Sequence, residues 1–235
     1  MGKILFVYHN ELEEGYMPAS LAVLGGVMKR DGIETRLFDT SFLKDMHSDL
    51  PENDRQARER TGQEKRVPGY NPERREVDLT QKFMDCVRDF KPDLIAATST
   101  SYEFGSLIKF ITPAKREFNV PVIVGGSHAT MAPEDVISYD GVDIVCRGEG
   151  EIAFSELVRR IKQGKEYSNI PNLWVRGSNG KVIRNPVGPL IDMDDLPDPD
   201  WDLFDSRHRI RPFQGELKNY GFFCFVRKGQ ITNFE

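Results

Sequence analysis

Val120-Pro-Val-Ile-Val-Gly-Gly-Ser-His-Ala-Thr130 is the stretch that most restricts the fold. Its β-branched apolar run halts at two glycines, as a strand buried on both faces does when its carboxyl end opens on a ligand crevice. Val142-Asp-Ile-Val-Cys-Arg-Gly-Glu-Gly-Glu151 repeats the pattern soon afterwards. Two neighbouring strands that end at glycines predict a binding face.

The rest of the first 165 residues alternates strand and helix. Ile4 to Tyr8 is a continuous apolar strand. Leu21, Leu24, Val27 and Met28 then recur at helical spacing until Asp31-Gly32 closes the helix. Ile33 to Phe38 predicts a second strand and Leu94 to Thr98 a third, with strands at Val120 to Val124 and Val142 to Val145 after them. Between these lie helical stripes at Leu79, Phe83, Val87 and Phe90, and at Phe104, Leu107, Ile108, Ile111 and Phe118. Pro133 is placed to start a short helix, and Ile152, Leu157, Val158 and Ile161 mark the last one. Parallel strands require crossovers that cover both sheet faces, so the expectation is an α/β fold with a doubly wound five-stranded parallel sheet. The polar segment 45–76, rich in proline and glycine, is expected to be an insertion or flexible loop.

Beyond this unit the pattern changes. Asn172-Leu-Trp-Val-Arg176 and Lys181-Val-Ile-Arg184 flank Gly177-Ser-Asn-Gly180 and predict a C-terminal β-hairpin. Asp192 to Phe204 is acidic and broken by prolines, which describes a linker draped over another element. Three parts follow: 1–165 as the binding domain, 166–190 as the hairpin appendage, and 191–235 as the acidic linker and what it leads to.

Composition narrows the partners. The chain has 235 residues and a net charge of −5, with 32 basic and 37 acidic residues intermixed, so no basic footprint for nucleic acid is present. Cys86, Cys146 and Cys224 are far apart and odd in number, which points to a reducing, cytoplasmic setting. No apolar run approaches the ~18 residues of a membrane span, and Met1 to Tyr8 is too short an apolar run for a secretory leader.

Ligand chemistry in such a sheet belongs at the strand carboxyl ends. His9 to Gly15, Thr98-Ser99-Thr100-Ser101, Gly125-Gly126-Ser127-His128 and Arg147-Gly148-Glu149-Gly150 converge there. Glycines permit close backbone approach and hydroxyls donate and accept without bulk, which suits a large, amide-rich, mostly neutral ligand. A polyphosphate fits less well, because neither a P-loop nor a G-x-G-x-x-G follows the first strand. Each candidate has a plainer explanation. Ser101 can cap the following helix, the glycine pairs can serve only as turns, and His128 can be a hydrogen-bonded or surface histidine. Metal binding is the lesser reading for His9, and no metal site or catalytic residue is predicted.

Four features occur in a recognisable order: Pro18-Ala-Ser-Leu-Ala-Val-Leu-Gly25, the Val-Gly-Gly-Ser-His-Ala-Thr turn with Pro133 beyond it, Arg-Gly-Glu-Gly-Glu151, and Asp194-Asp-Leu-Pro-Asp-Pro-Asp-Trp-Asp-Leu203. Over roughly residues 1 to 210 this arrangement resembles the cobalamin-binding half of B12-dependent radical S-adenosylmethionine (SAM) proteins. The resemblance implies a Rossmann- or flavodoxin-like B12-binding fold and cobalamin held by Thr98, Ser99, Thr100, Ser101, Gly125, Gly126, Ser127, His128, Thr130, Gly148, Glu149 and Gly150. It also implies a radical SAM catalytic domain, in this or another chain, for methyl transfer to unactivated carbon or a related rearrangement or cyclisation.

Two departures from the family pattern bound that inference. The D-x-H-x-x-G motif is absent, since the chain reads Val7-Tyr-His-Asn-Glu-Leu12, so histidine ligation of cobalt is not expected. A radical SAM cluster needs three closely spaced thiolates, whereas only Cys224 is available and Gln230 stands about where the first cluster cysteine would be. The iron-sulfur cluster and SAM therefore belong to a full-length family member, and this chain is expected to bind cobalamin without performing radical chemistry alone. A cofactor-free interaction or regulatory module is the alternative from another class. A receiver-like phosphoswitch built on Asp39, or a stand-alone small-molecule enzyme, has less support.

Overall fold

The computed structural model describes residues 2–10, 17–47, 75–213 and 216–219. Five parallel strands form the heart of the fold: β1 (Lys3–Tyr8), β2 (Glu34–Asp39), β5 (Leu94–Thr98), β6 (Val122–Gly125) and β7 (Ile144–Cys146). The hairpin strands β8 (Leu173–Arg176) and β9 (Val182–Arg184) extend the same sheet antiparallel, giving the order β2-β1-β5-β6-β7-β8-β9. The chain order reverses between β1 and β5, and that switch point opens the crevice in which sheets of this type bind ligands.

Period-two alternation divides the core in two. Leu5, Val7, Ile95, Ala97, Val122, Val124 and Val145 point to one face, and Ile4, Phe6, Leu94, Ala96, Ile123 and Ile144 to the other. The first face is covered by α2 (Leu79–Phe90) and α3 (Phe104–Phe118), the second by α1 (Ala19–Arg30) and α6 (Glu151–Lys162). Because neither face of the central strands β1, β5, β6 and β7 meets water, these read as nearly unbroken apolar runs, whereas β2 at the sheet edge exposes Glu34 and Arg36. Asp78 caps α2 by accepting from the Gln81 amide at 2.9 Å.

Several details depart from the expectations. The ends of segment 45–76 are ordered: β3 (Leu43–Asp45) and β4 (Arg75–Val77) pair in parallel as a small second sheet. Residues 48–74 of that segment, like Glu11 to Tyr16, Cys224 and Gln230, lie outside the described residues. Pro133 does open a helix, α5 (Pro133–Ser138), but another short helix, α4 (Ser127–Met131), precedes it. Ile152 is exposed, and Ala153 and Phe154 take the inward positions of α6 in its place.

The linker is more closely fitted than its composition suggests. Asp198-Pro199-Asp200 lies directly on Gly25 and Gly26 of α1, where a β-carbon at Gly26 would stand 2.2 Å from the Asp198 carbonyl oxygen. The Asp200 amide donates to the Ala22 carbonyl at 2.8 Å, and Lys29 Nζ pairs with the Asp200 carboxylate at 3.1 Å. Phe204 enters the second core. His208, 1% exposed, meets Asp39 at the end of β2 through its Nε2 at 2.5 Å.

Gly26→Val must push the linker off α1, and we expect a loss of about 1–3 kcal/mol in urea denaturation with new protease cleavage between Asp192 and His208; unchanged cleavage would refute the seat. Burial pushes the Cys146 thiol up to about 12, with Glu151 adding to the shift. Since the thiolate is the nucleophile, Cys146 should resist iodoacetamide at pH 8 in the native chain and react once the chain is unfolded, as read by peptide mass spectrometry.

Candidate functional site at the strand carboxyl ends

At the β1–β2 side, polar residues satisfy one another. His9 Nδ1 is hydrogen-bonded to Thr40 Oγ1 at 3.0 Å, the Asn10 amide donates to the same oxygen at 2.9 Å, and Asn10 Nδ2 donates to Ser41 Oγ at 3.0 Å. Asp39 accepts from the Ser41 amide at 2.8 Å while its other oxygen holds His208. His9 is buried edge-on against Phe110, and no cluster of three or more metal-ligating side chains occurs among the described residues. Thr40 and Ser41 were missed from sequence, although two hydroxyls directly after a strand repeat the signal read at Thr98 to Ser101.

The β5 and β6 exits are joined at the backbone. Gly126 has φ +94°, and a β-carbon there would lie 2.7 Å from both the Ser99 carbonyl oxygen and Thr98 Oγ1. The Ser99 amide donates to the Gly125 carbonyl at 3.2 Å, and the His128 amide to the Ser99 carbonyl at 3.3 Å. Ser99 itself is 3% exposed and its hydroxyl donates to the Thr100 carbonyl at 2.8 Å, so it braces the turn. Thr98 is half-buried at the strand end, whereas Thr100, Ser101, Gly126, Ser127 and Thr130 are exposed along the edge.

Thr130 links β6 to β7. Its hydroxyl donates to the Gly126 carbonyl at 3.0 Å and accepts from the Gly148 amide at 3.0 Å. Gly148 has φ +71° and open space where a β-carbon would be, leaving its face of the edge unobstructed. Glu149 is drawn away toward the hairpin and linker: its carbonyl accepts from Asn172 Nδ2 at 2.6 Å and its carboxylate from the Ile191 amide at 3.3 Å. Gly150 precedes α6 as its N-cap. Arg147 stacks on the Trp174 ring at 4.9 Å and forms no ion pair among the described residues, which leaves a cation beside these glycines.

Ser101 does not cap α3. Its Oγ lies 2.9 Å from His128 Nδ1, and His128 Nε2 lies 3.1 Å from Asp135 Oδ2. His128 is 9% exposed and its imidazole packs on Phe104 with centroids 4.6 Å apart. Two large apolar side chains absent from the sequence-based candidates flank the edge: Tyr102 is about half exposed and Met131 is 85% exposed. Only exposure distinguishes them from core residues, so sequence carried no signal for them.

Among the described residues the edge therefore offers hydroxyls, backbone groups of a glycine-rich turn, the exposed apolar side chains of Tyr102 and Met131, and the Arg147 cation. That donor set fits a broad, amide-fringed, mostly apolar ring such as a corrin, which needs many neutral hydrogen bonds and little charge neutralisation.

Comparison with known proteins agrees with the geometry. Residues 55–158 match the B12 binding domain family. The chain is 37% identical over 132 residues to an uncharacterized methyltransferase of Pyrococcus horikoshii, covering 54% of this chain and 28% of that protein. It is 30% identical over 112 residues to the cobalamin-dependent radical SAM methyltransferase TokK of Streptomyces tokunonensis, covering 46% of this chain and 16% of that one. Its fold superposes on the cobalamin-dependent SAM radical enzyme OxsB, solved with aqua-cobalamin and SAM, at a TM-score of 0.63, 13% identity, and coverage of 86% of this chain and 24% of the other. The chain spans less than a third of the length of each of these proteins. Residues 55–158 thus match a B12 binding domain, and the chain is similar over about half its length to methyltransferases that include a cobalamin-dependent radical SAM enzyme.

Proposed function

We propose that this chain holds cobalamin across the carboxyl ends of β1, β5, β6 and β7 and presents it to a radical SAM catalytic unit. The observation that carries the reading is the convergence of the glycine and hydroxyl turns on one edge, at the switch point of a sheet whose sequence matches a B12 binding domain. Thr98, Ser99, Thr100 and Ser101 from β5, Gly125, Gly126, Ser127, His128 and Thr130 from β6, and Gly148, Glu149 and Gly150 from β7 are the proposed cofactor-binding set.

Their roles differ. Ser99 and Gly126 shape the turn, Thr130 ties it to Gly148, and Thr100, Ser101 and Ser127 offer exposed hydroxyls for peripheral amides. Tyr102 and Met131 are suited to lie against the apolar face of the macrocycle. Bound cobalamin supplies a cobalt centre able to carry a methyl group; the protein's residues hold and orient it and keep water from one side. Methyl transfer, or a related radical reaction, is proposed for the catalytic unit that this domain serves. Its cysteine pattern suits a cytoplasmic location, and no helix among the described residues is long and apolar enough to cross a membrane.

Hydroxocobalamin titrated into the purified chain and passed through gel filtration should be retained in roughly stoichiometric amount, seen in the visible spectrum. Ligand at a hundredfold its Kd should add about 2.7 kcal/mol to stability. Ser127→Trp, at an exposed position, should weaken binding by about tenfold or more while leaving thermal unfolding of the free chain unchanged. Absence of retained corrinoid would overturn the proposal in favour of a cofactor-free docking module.

A further inference from the structure

We propose that Ser101 selects a peripheral carboxamide of the bound corrinoid by acting as a hydrogen-bond acceptor, and that His128 and Asp135 hold it in that role. The proposal rests on the cobalamin reading above and extends it to the chemistry of one contact.

The argument begins at Asp135. Carboxylate oxygens accept hydrogen bonds and do not donate them, so the contact at 3.1 Å places the imidazole proton on His128 Nε2. When the ring is neutral its lone pair lies on Nδ1, and Ser101 Oγ, 2.9 Å away, then donates its only proton there. The hydroxyl is left with lone pairs alone for any further partner. Ser101 is exposed on the loop leaving β5, which places this acceptor at the edge where the ligand is proposed to lie.

The ring has little freedom to change the arrangement. His128 is 9% exposed, its backbone amide is bonded to the Ser99 carbonyl, and its ring packs against Phe104, which in turn meets Tyr139 edge-on at 5.2 Å. An acceptor-only hydroxyl discriminates between a carboxamide, which supplies N–H, and a carboxylate, which sets oxygen lone pairs against oxygen lone pairs. His128 and Asp135 are thus positioning residues and Ser101 the specificity-determining contact.

The test compares hydroxocobalamin with its b-, d- and e-monocarboxylic acids, each of which has one side-chain amide hydrolysed, by retention titration at one mildly alkaline pH. The wild-type chain should bind one of the three acids about fivefold to tenfold more weakly than cobalamin. Ser101→Ala should erase the discrimination for that isomer alone, Ser101→Thr should keep it, and Asp135→Ala, which frees the tautomer, should reduce it, with circular dichroism confirming the fold of each variant. A wild-type chain that binds cobalamin but distinguishes none of the acids, or a Ser101→Ala variant with the wild-type ratio, would overturn the proposal. A wild-type chain that binds no corrinoid would overturn the cobalamin reading and this inference with it.

Discussion

The backbone contact between Gly126 and the turn after β5 is the constraint on which the edge depends. With φ at +94° and no β-carbon, Gly126 lets the chain leave β6 within touching distance of Ser99 and Thr98. The Ser99 carbonyl is then close enough to accept the His128 amide, which fixes where α4 starts. From that start the His128 ring reaches Ser101 on one side and Asp135 on the other, and Thr130 reaches back to Gly126 and across to Gly148. A side chain at 126 would separate the two exits and break each of these contacts in turn.

A second close approach, on the opposite face of the sheet, fastens the linker. Gly25 and Gly26 make a flat seat on α1 for Asp198 to Asp200, and the chain then runs on to bury Phe204 and His208. His208 meets Asp39, whose other carboxylate oxygen holds Ser41, which in turn accepts from Asn10. The acidic, proline-broken segment therefore ends in hydrogen-bonding contact with the loops after β1 and β2. A segment anchored in this way is held against the domain, as a loose tether would not be.

Much of this was legible in the residues. The strands were readable because burial on both faces removes the polar positions that would otherwise interrupt Ile4 to Tyr8 or Val122 to Val124. The glycine turns were readable because abrupt loss of side chains after such runs has few other uses. His128 illustrates the limit: its place after Gly126 was evident, but its partners Ser101 and Asp135 come from two other segments, and only the fold brings them within bonding distance. The fold likewise decides that the Ser99 hydroxyl braces the loop carrying the proposed ligand contacts, and nothing in a sequence marks the apolar side chains of Tyr102 and Met131 as exposed.

The sequence by itself determined the layered α/β architecture, the edge at which the ligand face lies and the family the domain resembles, because these follow from periodicity, glycine placement and local motif order. Tertiary structure alone decided which hydroxyls face outward, that His128 is held between a serine and a carboxylate, that the hairpin extends the sheet, and that the linker is seated on two glycines of α1. Those features depend on distances between segments remote in the chain, set by strand register and helix packing, and a one-dimensional pattern does not encode such distances.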